Sequence, residues 1–323
     1  KVIIKIISIF IIIIILTGLI LLYGPISSFR EWLITTAMTT MNHQYLATIF
    51  YSDDTIKDVL EKNTIHEFNE NTDLNLINAS IYFNNQYTSD YEKLVRNKDE
   101  PYKIIQIQAN TYTGYLVAIY DPSKIKTAVA KCEEGELLED IAKENNAVIA
   151  INGGMFEQTE NGLKTSGITV SNGKIISQEV SDKGIIGFTR DNKLFLGKVS
   201  IDELTKLEIR DCVTFGPFLM VNGKRAEIAG NGGYGTAPRT AIGQRSDGTV
   251  LFLAIDGRKI TSPGATMKDV TDIMERFGAI NVANLDGGAS TQLVVNGQTL
   301  NDVIGNGAGE EARNLVTSFI LEQ

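Results

Sequence analysis

Short turn signals between apolar runs constrain the fold of this chain more than any other feature of its sequence. Asn-Gly, Asp-Gly or similar pairs stand between apolar residues at 170–175, 189–196, 220–225, 245–250 and 294–299. Such pairs tolerate the positive φ angles that tight hairpin turns need, and hairpins join antiparallel strands. The sequence therefore predicts a mostly antiparallel or mixed sheet.

Helical periodicity is confined to a few segments of this region. Thr266 is placed to cap a helix whose apolar stripe includes Val270 and Met274, and Gly278 marks its end. A second amphipathic helix is predicted within 135–146. Residues 96–323 are therefore expected to form one α+β domain with helices packed on the sheet.

A long apolar run near the N-terminus stands apart from that domain. Residues 6–22 carry no charge and, with the apolar residues before them, approach the ~20 residues that a membrane-spanning helix needs. A secretory signal peptide is the alternative, but its apolar core would be shorter and no A-x-A-like cleavage site follows Leu22. Lys1 and Lys5 come first, so the positive-inside rule places the N-terminus in the cytoplasm. We expect residues 1–23 to be a single-pass signal anchor in the lipid bilayer of the cell membrane, with the rest of the chain extracellular.

The segment 24–95 is expected to connect the anchor to the domain. Residues 27–50 have apolar side chains at roughly helical spacing, which predicts a juxtamembrane helix lying on the bilayer or against the domain. A second short helix is predicted at 54–63, and the Asn-rich stretch 63–86 is interpreted as a linker.

Composition argues against several classes of function. The formal net charge of −9 makes nucleic acid an unfavourable partner. The two histidines, His43 and His66, both precede the predicted domain, so a histidine-based triad or metal site is not expected in it. The two cysteines, Cys132 and Cys212, are too few for a disulfide framework, and either one pair or two free thiols fits the sequence. Catalysis would then use carboxylates, amides and arginine.

Three predicted strands end in an Asn or Asp followed by glycine. Asn152, Asp256 and Asp286 each stand at the end of an apolar run and are followed by glycine. A polar residue at a strand end points into the crevice above the sheet, and glycine lets a ligand approach the backbone. A tight turn is the alternative at any one of these positions, but the repetition, and Ser290 after the last of them, favours a binding site. The glycines concerned are Gly153, Gly154, Gly257, Gly287 and Gly288.

Two arginines are candidates for binding an anion. Arg239 lies between the glycine loop 230–235 and an apolar strand, with Thr240 beside it, and its guanidinium matches phosphate or carboxylate oxygens. Arg313, at the start of the last apolar run, is a second candidate, and a surface salt bridge is the alternative for either arginine. The glycine loop fits G-x-G-x-x-G, but a proline and an apolar strand follow it instead of a helix, so dinucleotide binding is not predicted.

Five ordered segments of the chain resemble the phosphodiester glycosidase family. They read AINGGMF, GPFLMVNGK, APRTAIG, LAIDGR and NLDGGASTQLVVNG, and the resemblance covers about residues 100–323. It implies hydrolysis of the bond between a sugar's anomeric carbon and a phosphodiester oxygen, which releases free sugar and a phosphomonoester. The sequence departs from the family pattern at Ala289, where a third glycine is common. A methyl group there is expected to narrow the loop and change which sugar fits.

The resemblance also implies roles for the candidate residues. We expect Asp286 to act as nucleophile or base, and Asp256 as its partner or as a ligand of a sugar hydroxyl. Arg239 would stabilise charge on the departing phosphate, and Asn152 would hydrogen-bond the sugar or the phosphate. The residues expected to bind substrate are Gly153, Gly154, Thr240, Gly287, Gly288, Ser290 and Arg313.

Two other functions remain open at this point. The chain could bind a polysaccharide without cleaving it, or cut a P–O bond with Ca²⁺ or Mg²⁺ held by Asp256 and Asp286. No dense carboxylate cluster supports a two-metal site, and no metal site or cofactor is predicted. Glu310 and Glu311 are the alternative carboxylates if one aspartate is structural. The expected substrate is a glycosyl phosphodiester, in a cell-surface polysaccharide or a related glycan.

Overall fold

The computed structural model describes residues 2–40, 43–78, 90, 93–97, 99–259, 261–304 and 312–323. The chain divides into two compact units. The first contains Lys1–His66 with Ile228–Thr236, and the second contains Glu67–Glu227 with Ala237–Gln323. The sequence-based division into anchor, connecting segment and domain, at 1–23, 24–95 and 96–323, stays a prediction.

The described residues form seven α-helices and twenty-one strands. The helices are α1 Val2–Tyr23, α2 Ser27–Met38, α3 Tyr45–Thr48, α4 Asp53–Lys62, α5 Leu138–Glu144, α6 Ile201–Lys206 and α7 Met267–Arg276. The strands are β1 Ile65–His66, β2 Tyr102–Gln108, β3 Thr113–Ile119, β4 Ile125–Val129, β5 Ala147–Asn152, β6 Phe156–Thr159, β7 Gly162–Thr165, β8 Ile168–Ser171, β9 Lys174–Gln178, β10 Gly184–Thr189, β11 Leu194–Gly197, β12 Ile209–Phe215, β13 Phe218–Val221, β14 Lys224–Arg225, β15 Glu227–Ile228, β16 Arg239–Arg245, β17 Val250–Ile255, β18 Ala279–Leu285, β19 Leu293–Val295, β20 Gln298–Thr299 and β21 Thr317–Glu322.

The first unit begins with the apolar helix α1, which is long and apolar enough to cross a membrane and buries none of its residues in the protein. The predicted helix over 27–50 is wrong as one element, because α2 ends at Met38 and α3 is separate. Thr40 explains the break, since its hydroxyl donates to Ala37 O at 2.8 Å and accepts from His43 N at 3.0 Å. Such local bonds compete with continuation of the helix. The second predicted helix, at 54–63, is confirmed as α4.

The glycine loop 230–235 also belongs to the first unit. Asn231 N donates to Asn63 Oδ1 at 2.9 Å, and Asn231 Nδ2 donates to Thr35 Oγ1 at 2.9 Å. The element that follows the loop is β16, a strand, as the sequence predicts.

The second unit is built on a seven-stranded sheet with the order β14-β13-β18-β16-β17-β3-β2. Every strand pair with a described register in it is antiparallel. Strand β16 lies between β17 and β18, with Arg239 opposite Ile255 and Thr240 opposite Leu285. The ends of β17 and β18 therefore lie on either side of the start of β16.

The second unit also contains two five-stranded sheets, with the orders β20-β19-β5-β21-β4 and β11-β10-β12-β8-β9, and the two-stranded sheet β6-β7. The five predicted hairpins form as β8–β9, β10–β11, β13–β14, β16–β17 and β19–β20. The predicted strand pair within 102–122 forms as β2–β3. The prediction of an α+β fold with mostly antiparallel sheets is confirmed.

One large apolar core joins the three larger sheets of the second unit. Phe252, Phe188 and Phe319 come one from each sheet and are fully buried in the same cluster. The rings of Phe188 and Phe319 pack edge to face with centroids 6.0 Å apart. Each such ring contributes about 1.5–3 kcal/mol by leaving water, so the core holds the sheets and their strand ends in place.

Helix α7 begins and ends where the sequence predicts. Thr266 Oγ1 accepts from Asp269 N at 3.2 Å, and the Asp269 carboxylate accepts from Thr266 N at 2.8 Å, which makes a capping box. Val270 and Met274 are buried, and Gly278 follows the helix at φ 86.

Both cysteines are free thiols, so the alternative of a disulfide is wrong. Cys132 is exposed and Cys212 is buried, and burial raises the pKa of the Cys212 thiol to about 12. Cys212 therefore behaves as a small apolar core residue.

Candidate active site

Two of the three strand ends singled out in the sequence meet in the structure. Asn152 closes β5 and Asp286 follows β18, so they come from different sheets. Asn152 Nδ2 donates to Asp286 O at 2.5 Å, and Asp286 N donates to Gly153 O at 3.2 Å. These two bonds fix the backbone that carries the Asp286 carboxylate.

Asn152 is a buried centre of hydrogen bonding. Its Oδ1 accepts from Thr240 Oγ1 at 2.8 Å and from Gln292 N at 3.1 Å. The Thr240 hydroxyl also lies 3.3 Å from Thr291 Oγ1. Asn152 and Thr240 have no exposed surface, so these contacts place both residues beneath the site as supports. Their direct contact with substrate stays a prediction.

The Asp286 carboxylate is in a partly desolvated and electrically positive setting. Burial raises its pKa, whereas the Ser290 hydroxyl, the charge of Arg313 and the Gly287 N–H lower it. Ser290 Oγ is buried beside this carboxylate, and its contact with substrate stays a prediction. Such opposing influences on one carboxyl are typical of functional sites.

Arg313 is held beside this carboxylate by an aromatic ring. Its Cζ lies 4.1 Å from the centroid of the Phe156 ring, which is a cation–π contact. Burial lowers the pKa of the Arg313 guanidinium and Asp286 raises it, while Gln292 Nε2 donates to Arg313 O at 3.0 Å. Arg313 therefore acts on the Asp286 carboxyl through its charge, and its direct contact with substrate stays a prediction.

Asp256 is engaged by protein donors on both oxygens. Its Oδ1 accepts from Asp302 N at 2.9 Å and from Asn301 Nδ2 at 3.3 Å, and its Oδ2 accepts from Thr113 Oγ1 at 3.3 Å. Burial raises its pKa and these hydrogen bonds oppose the shift. Asp256 thus fixes the segment after β20 next to the strand ends.

The two aspartates are well separated across the sheet. Strand β16 lies between their strands, and two strand spacings put their Cα atoms about 10 Å apart. Asp256 therefore lies on the far side of β16 from Asp286, and its expected role as partner of Asp286 or as a ligand of a sugar hydroxyl stays a prediction.

Arg239, the predicted phosphate clamp, is buried at the start of β16. Its Nε donates to Ala265 O at 3.0 Å, which ties β16 to the residue before the cap of α7. Part of its guanidinium is thus used by the protein. Whether the rest contacts substrate stays a prediction.

The glycines of the strand ends allow close packing of protein segments. A methyl group on Gly153 would lie 2.6 Å from Thr317 Oγ1, and one on Gly154 would lie 2.7 Å from Thr214 O. A methyl group on Gly287 would lie 2.9 Å from Pro238 O. On that side protein fills the space that the sequence assigned to ligand, and substrate contact by these glycines stays a prediction. Ala289 is also buried, so its methyl group packs inward.

The structure adds one residue that the sequence reasoning missed. Arg258 follows Asp256 by two positions and its side chain is exposed. A methyl group on Gly288 would lie 2.8 Å from Arg258 Nη2, so the guanidinium lies against the Asp286-Gly287-Gly288 loop. The presence of an arginine in LAIDGR, at the same edge as the other strand ends, could have identified it.

The described residues contain no clear set of metal ligands. Within residues 2–40, 43–78, 90, 93–97, 99–259, 261–304 and 312–323, no group of three His, Cys, Asp or Glu side chains could hold a metal ion. Glu310 and Glu311, the alternative carboxylates, lie outside the described residues.

Comparison with known proteins assigns the chain to a family. The sequence profile of the phosphodiester glycosidase family, NAGPA, matches residues 145–322. This is more than half of the chain and includes β5 and β16–β21, which carry the site. The chain therefore belongs to the phosphodiester glycosidase family.

Two solved structures are similar to this fold. The catalytic domain of zebrafish N-acetylglucosamine-1-phosphodiester alpha-N-acetylglucosaminidase matches with a TM-score of 0.61 and 20% identity, over 70% of this chain and 85% of that one. A protein from Burkholderia pseudomallei K96243 matches with a TM-score of 0.50 and 16% identity, over 66% of this chain and 74% of that one. At these identities the likeness establishes the fold.

A shorter stretch of the chain is similar to a phage-derived protein. It is 46% identical over 66 residues to the SPbeta prophage-derived protein YomE of Bacillus subtilis (strain 168). The match covers 20% of this chain and 10% of YomE, so the chain spans about a tenth of the length of that relative.

Proposed function

We propose that this protein hydrolyses glycosyl phosphodiesters at the bond between the anomeric carbon and the phosphate oxygen. The observation that carries the proposal is the Asp286 carboxylate, which is fixed by Asn152 and Gly153 and lies near the charge of Arg313. Membership of the phosphodiester glycosidase family supports the same reaction class. The zebrafish relative with this fold is named for the same type of bond.

The carboxylate supplies negative charge where the sugar becomes positive. Glycoside cleavage passes through an oxocarbenium-like transition state, which an ionised Asp286 would stabilise or attack. Arg313 favours the ionised form, because its charge lowers the pKa that burial raises. The Ser290 hydroxyl lies beside the Asp286 carboxylate and lowers its pKa, and its oxygen would accept a hydrogen bond from a sugar hydroxyl.

A phosphate leaving group needs less help from a proton donor than the alcohol that leaves in ordinary glycoside hydrolysis. A phosphodiester oxygen leaves as a stabilised anion, so donors that stabilise negative charge contribute more to the rate than a general acid does. Arg239 is proposed to contribute positive charge from beneath the loop. Its bond to Ala265 O, and that of Thr240 to Asn152, keep these residues in fixed positions.

The location of the enzyme is part of the proposal. We infer that α1 is a membrane anchor and that the second unit acts outside the cell on a polysaccharide or related glycan. The apolar character of α1 supports an anchor, and Lys5 near its start with Asp53 and Asp54 beyond its end supports this orientation.

Cys132 offers a direct test of that orientation. It is exposed whereas Cys212 is buried, so a membrane-impermeant maleimide on intact cells is expected to label the wild type and leave Cys132→Ser unlabelled. The Glu136 carboxylate raises the pKa of the Cys132 thiol, so labelling is done at mildly alkaline pH. Labelling that requires permeabilised cells would contradict the extracellular assignment.

The catalytic proposal is tested with a matched pair of aspartate variants. The full chain in detergent micelles is incubated with a series of α-glycosyl phosphodiesters, beginning with UDP-N-acetylglucosamine. Asp286→Asn is expected to lower kcat at least ~10³-fold with an unchanged circular dichroism spectrum. Asp191→Asn, in the exposed turn between β10 and β11, is the control and should retain the wild-type rate. Equal rates for the two variants would refute the role of Asp286.

A further inference from the structure

Arg258 has a guanidinium with no protein partner in the described part of the chain. Its backbone N–H donates to Pro263 O at 3.0 Å, but its side chain forms no hydrogen bond or ion pair with a described residue. The other site arginines differ, since Arg239 Nε donates to Ala265 O and Arg313 stacks on Phe156. An arginine beside a site, with no carboxylate partner among the described residues, is suited to an anionic ligand.

The backbone at Arg258 is in a conformation that arginine rarely adopts. Its φ is 59, in the left-handed region. Of the eight non-glycine residues at positive φ that the structure describes, six are Asn or Asp, which tolerate this region. Glycine would fit this turn without strain, so the side chain at position 258 serves a purpose other than forming the turn.

The position of the guanidinium separates its role from that of Arg313. It lies against Gly288, two residues beyond Asp286, where a methyl group would come within 2.8 Å of Nη2. Arg313 is the cation that lowers the pKa of the Asp286 carboxyl. Arg258 thus lies at the edge of the same loop, where its guanidinium could contact the part of a substrate next to the sugar.

We propose that Arg258 binds the non-bridging oxygens of the substrate's phosphodiester and so selects phosphate-linked glycosides over neutral ones. The proposal rests on the proposed hydrolysis of glycosyl phosphodiesters. The guanidinium fork matches two phosphate oxygens, and charge-assisted bonds of this kind are among the stronger ones in proteins. Glycine at 288 leaves room for the guanidinium, so the loop and Arg258 act together.

The first test compares two substrates that share a sugar. Activity of the full chain in micelles is measured on an N-acetylglucosamine phosphodiester and on the neutral p-nitrophenyl α-glycoside of the same sugar. Arg258→Met is expected to lower kcat/KM for the phosphodiester about 10- to 100-fold, mainly through KM, and to change it less than about 2-fold for the neutral glycoside. Equal losses on both substrates, or no loss on either, would overturn the proposal.

Two further variants separate binding from folding. Arg258→Gly removes the strained side chain, so it should match the loss in Arg258→Met without a lower Tm. A lower Tm, or unchanged phosphodiester activity, would show that the arginine is structural. Arg190→Met is the control, because Arg190 is exposed in the β10–β11 hairpin, is paired with Glu208 at 3.2 Å and should not change activity.

A chemical test gives a readout that does not require turnover. Phenylglyoxal modification of Arg258 and Arg190 is quantified by mass spectrometry with and without dimethyl phosphate, an anionic phosphodiester. Protection of Arg258 alone is expected, and equal modification of Arg258 with and without the diester would contradict the anion site. If Arg258 is protected but no phosphodiester is hydrolysed, the proposed reaction fails while the anion site stands.

Discussion

Replacement of Asn152 by alanine tests how the second unit holds its site together. The change removes the donor to Asp286 O and the acceptor of Thr240 Oγ1 and Gln292 N, three bonds of 2.5, 2.8 and 3.1 Å. Each buried polar group left without a partner costs about 1–3 kcal/mol. Because Asn152 is fully buried and water has little access, we expect a loss of about 3–6 kcal/mol in the free energy of unfolding. Total stabilities of domains are about 5–15 kcal/mol, so this is a large fraction.

The assay must report on the second unit. The single tryptophan of the chain, Trp32, lies in α2 of the first unit, so its fluorescence would follow the other unit. Urea unfolding of the full chain in micelles is therefore followed by circular dichroism in the strand region. The amide of Gln292 should also exchange its hydrogen faster in Asn152→Ala, since its acceptor is gone.

Asn145→Ala is a matched control for this experiment. Asn145 is a partly buried asparagine whose side chain makes one bond, to Ile141 O at 2.8 Å, and we expect a loss of about 1 kcal/mol or less. If Asn152→Ala costs no more than Asn145→Ala, the three bonds do not stabilise the site and the reasoning is refuted.

Three further predictions use other parts of the structure. Burial raises the pKa of Asp286, so activity should decline at a higher pH than for an ordinary aspartate when the pH is lowered. Because the pKa of Asp286 is higher in the folded protein than in the unfolded chain, Asp286 stabilises the fold at low pH, and this stabilisation is lost as the pH rises through the folded-state pKa. In Asp286→Asn, unfolding measured as a function of pH should lack this loss of stability. Gly154→Ala should cost about 1–3 kcal/mol in urea unfolding, because its methyl group would lie 2.7 Å from Thr214 O; a cost near zero would contradict the packing argument. Thr266→Ala removes the N-cap of α7 and should cost about 1–2 kcal/mol, whereas Thr266→Ser should retain most of that stability.

The local elements of this fold could be predicted from the sequence because their determinants are close together in the chain. Each of the five hairpins is specified by the turn residues between its own strands, and α7 by Thr266 and Gly278 at its ends. The order of strands in the sheets was not predictable in this way. Strand β16 pairs with β17 and with β18, and β18 is separated from β16 in the chain by β17 and α7, so no local pattern specifies the second pairing.

The sequence identified candidate residues for the site but not how they contact one another. Asp286 and Arg313 were both candidates, but the effect of each on the pKa of the other was not predicted. Asn152 was expected to face substrate, yet its partner is a backbone carbonyl 134 residues away, which no local pattern contains. Arg258 was missed because its exposure and its contact with Gly288 arise only when two strand ends meet.

The identity of the bond that is cleaved tests the central claim most directly. The full chain and Asp286→Asn are incubated with UDP-N-acetylglucosamine or the best phosphodiester of the series, and products are followed by proton and phosphorus NMR. Cleavage at the anomeric carbon predicts free N-acetylglucosamine and UDP from the wild type, with neither product from Asp286→Asn. Sugar 1-phosphate and UMP would instead show cleavage of a P–O bond and would contradict the glycosidase assignment.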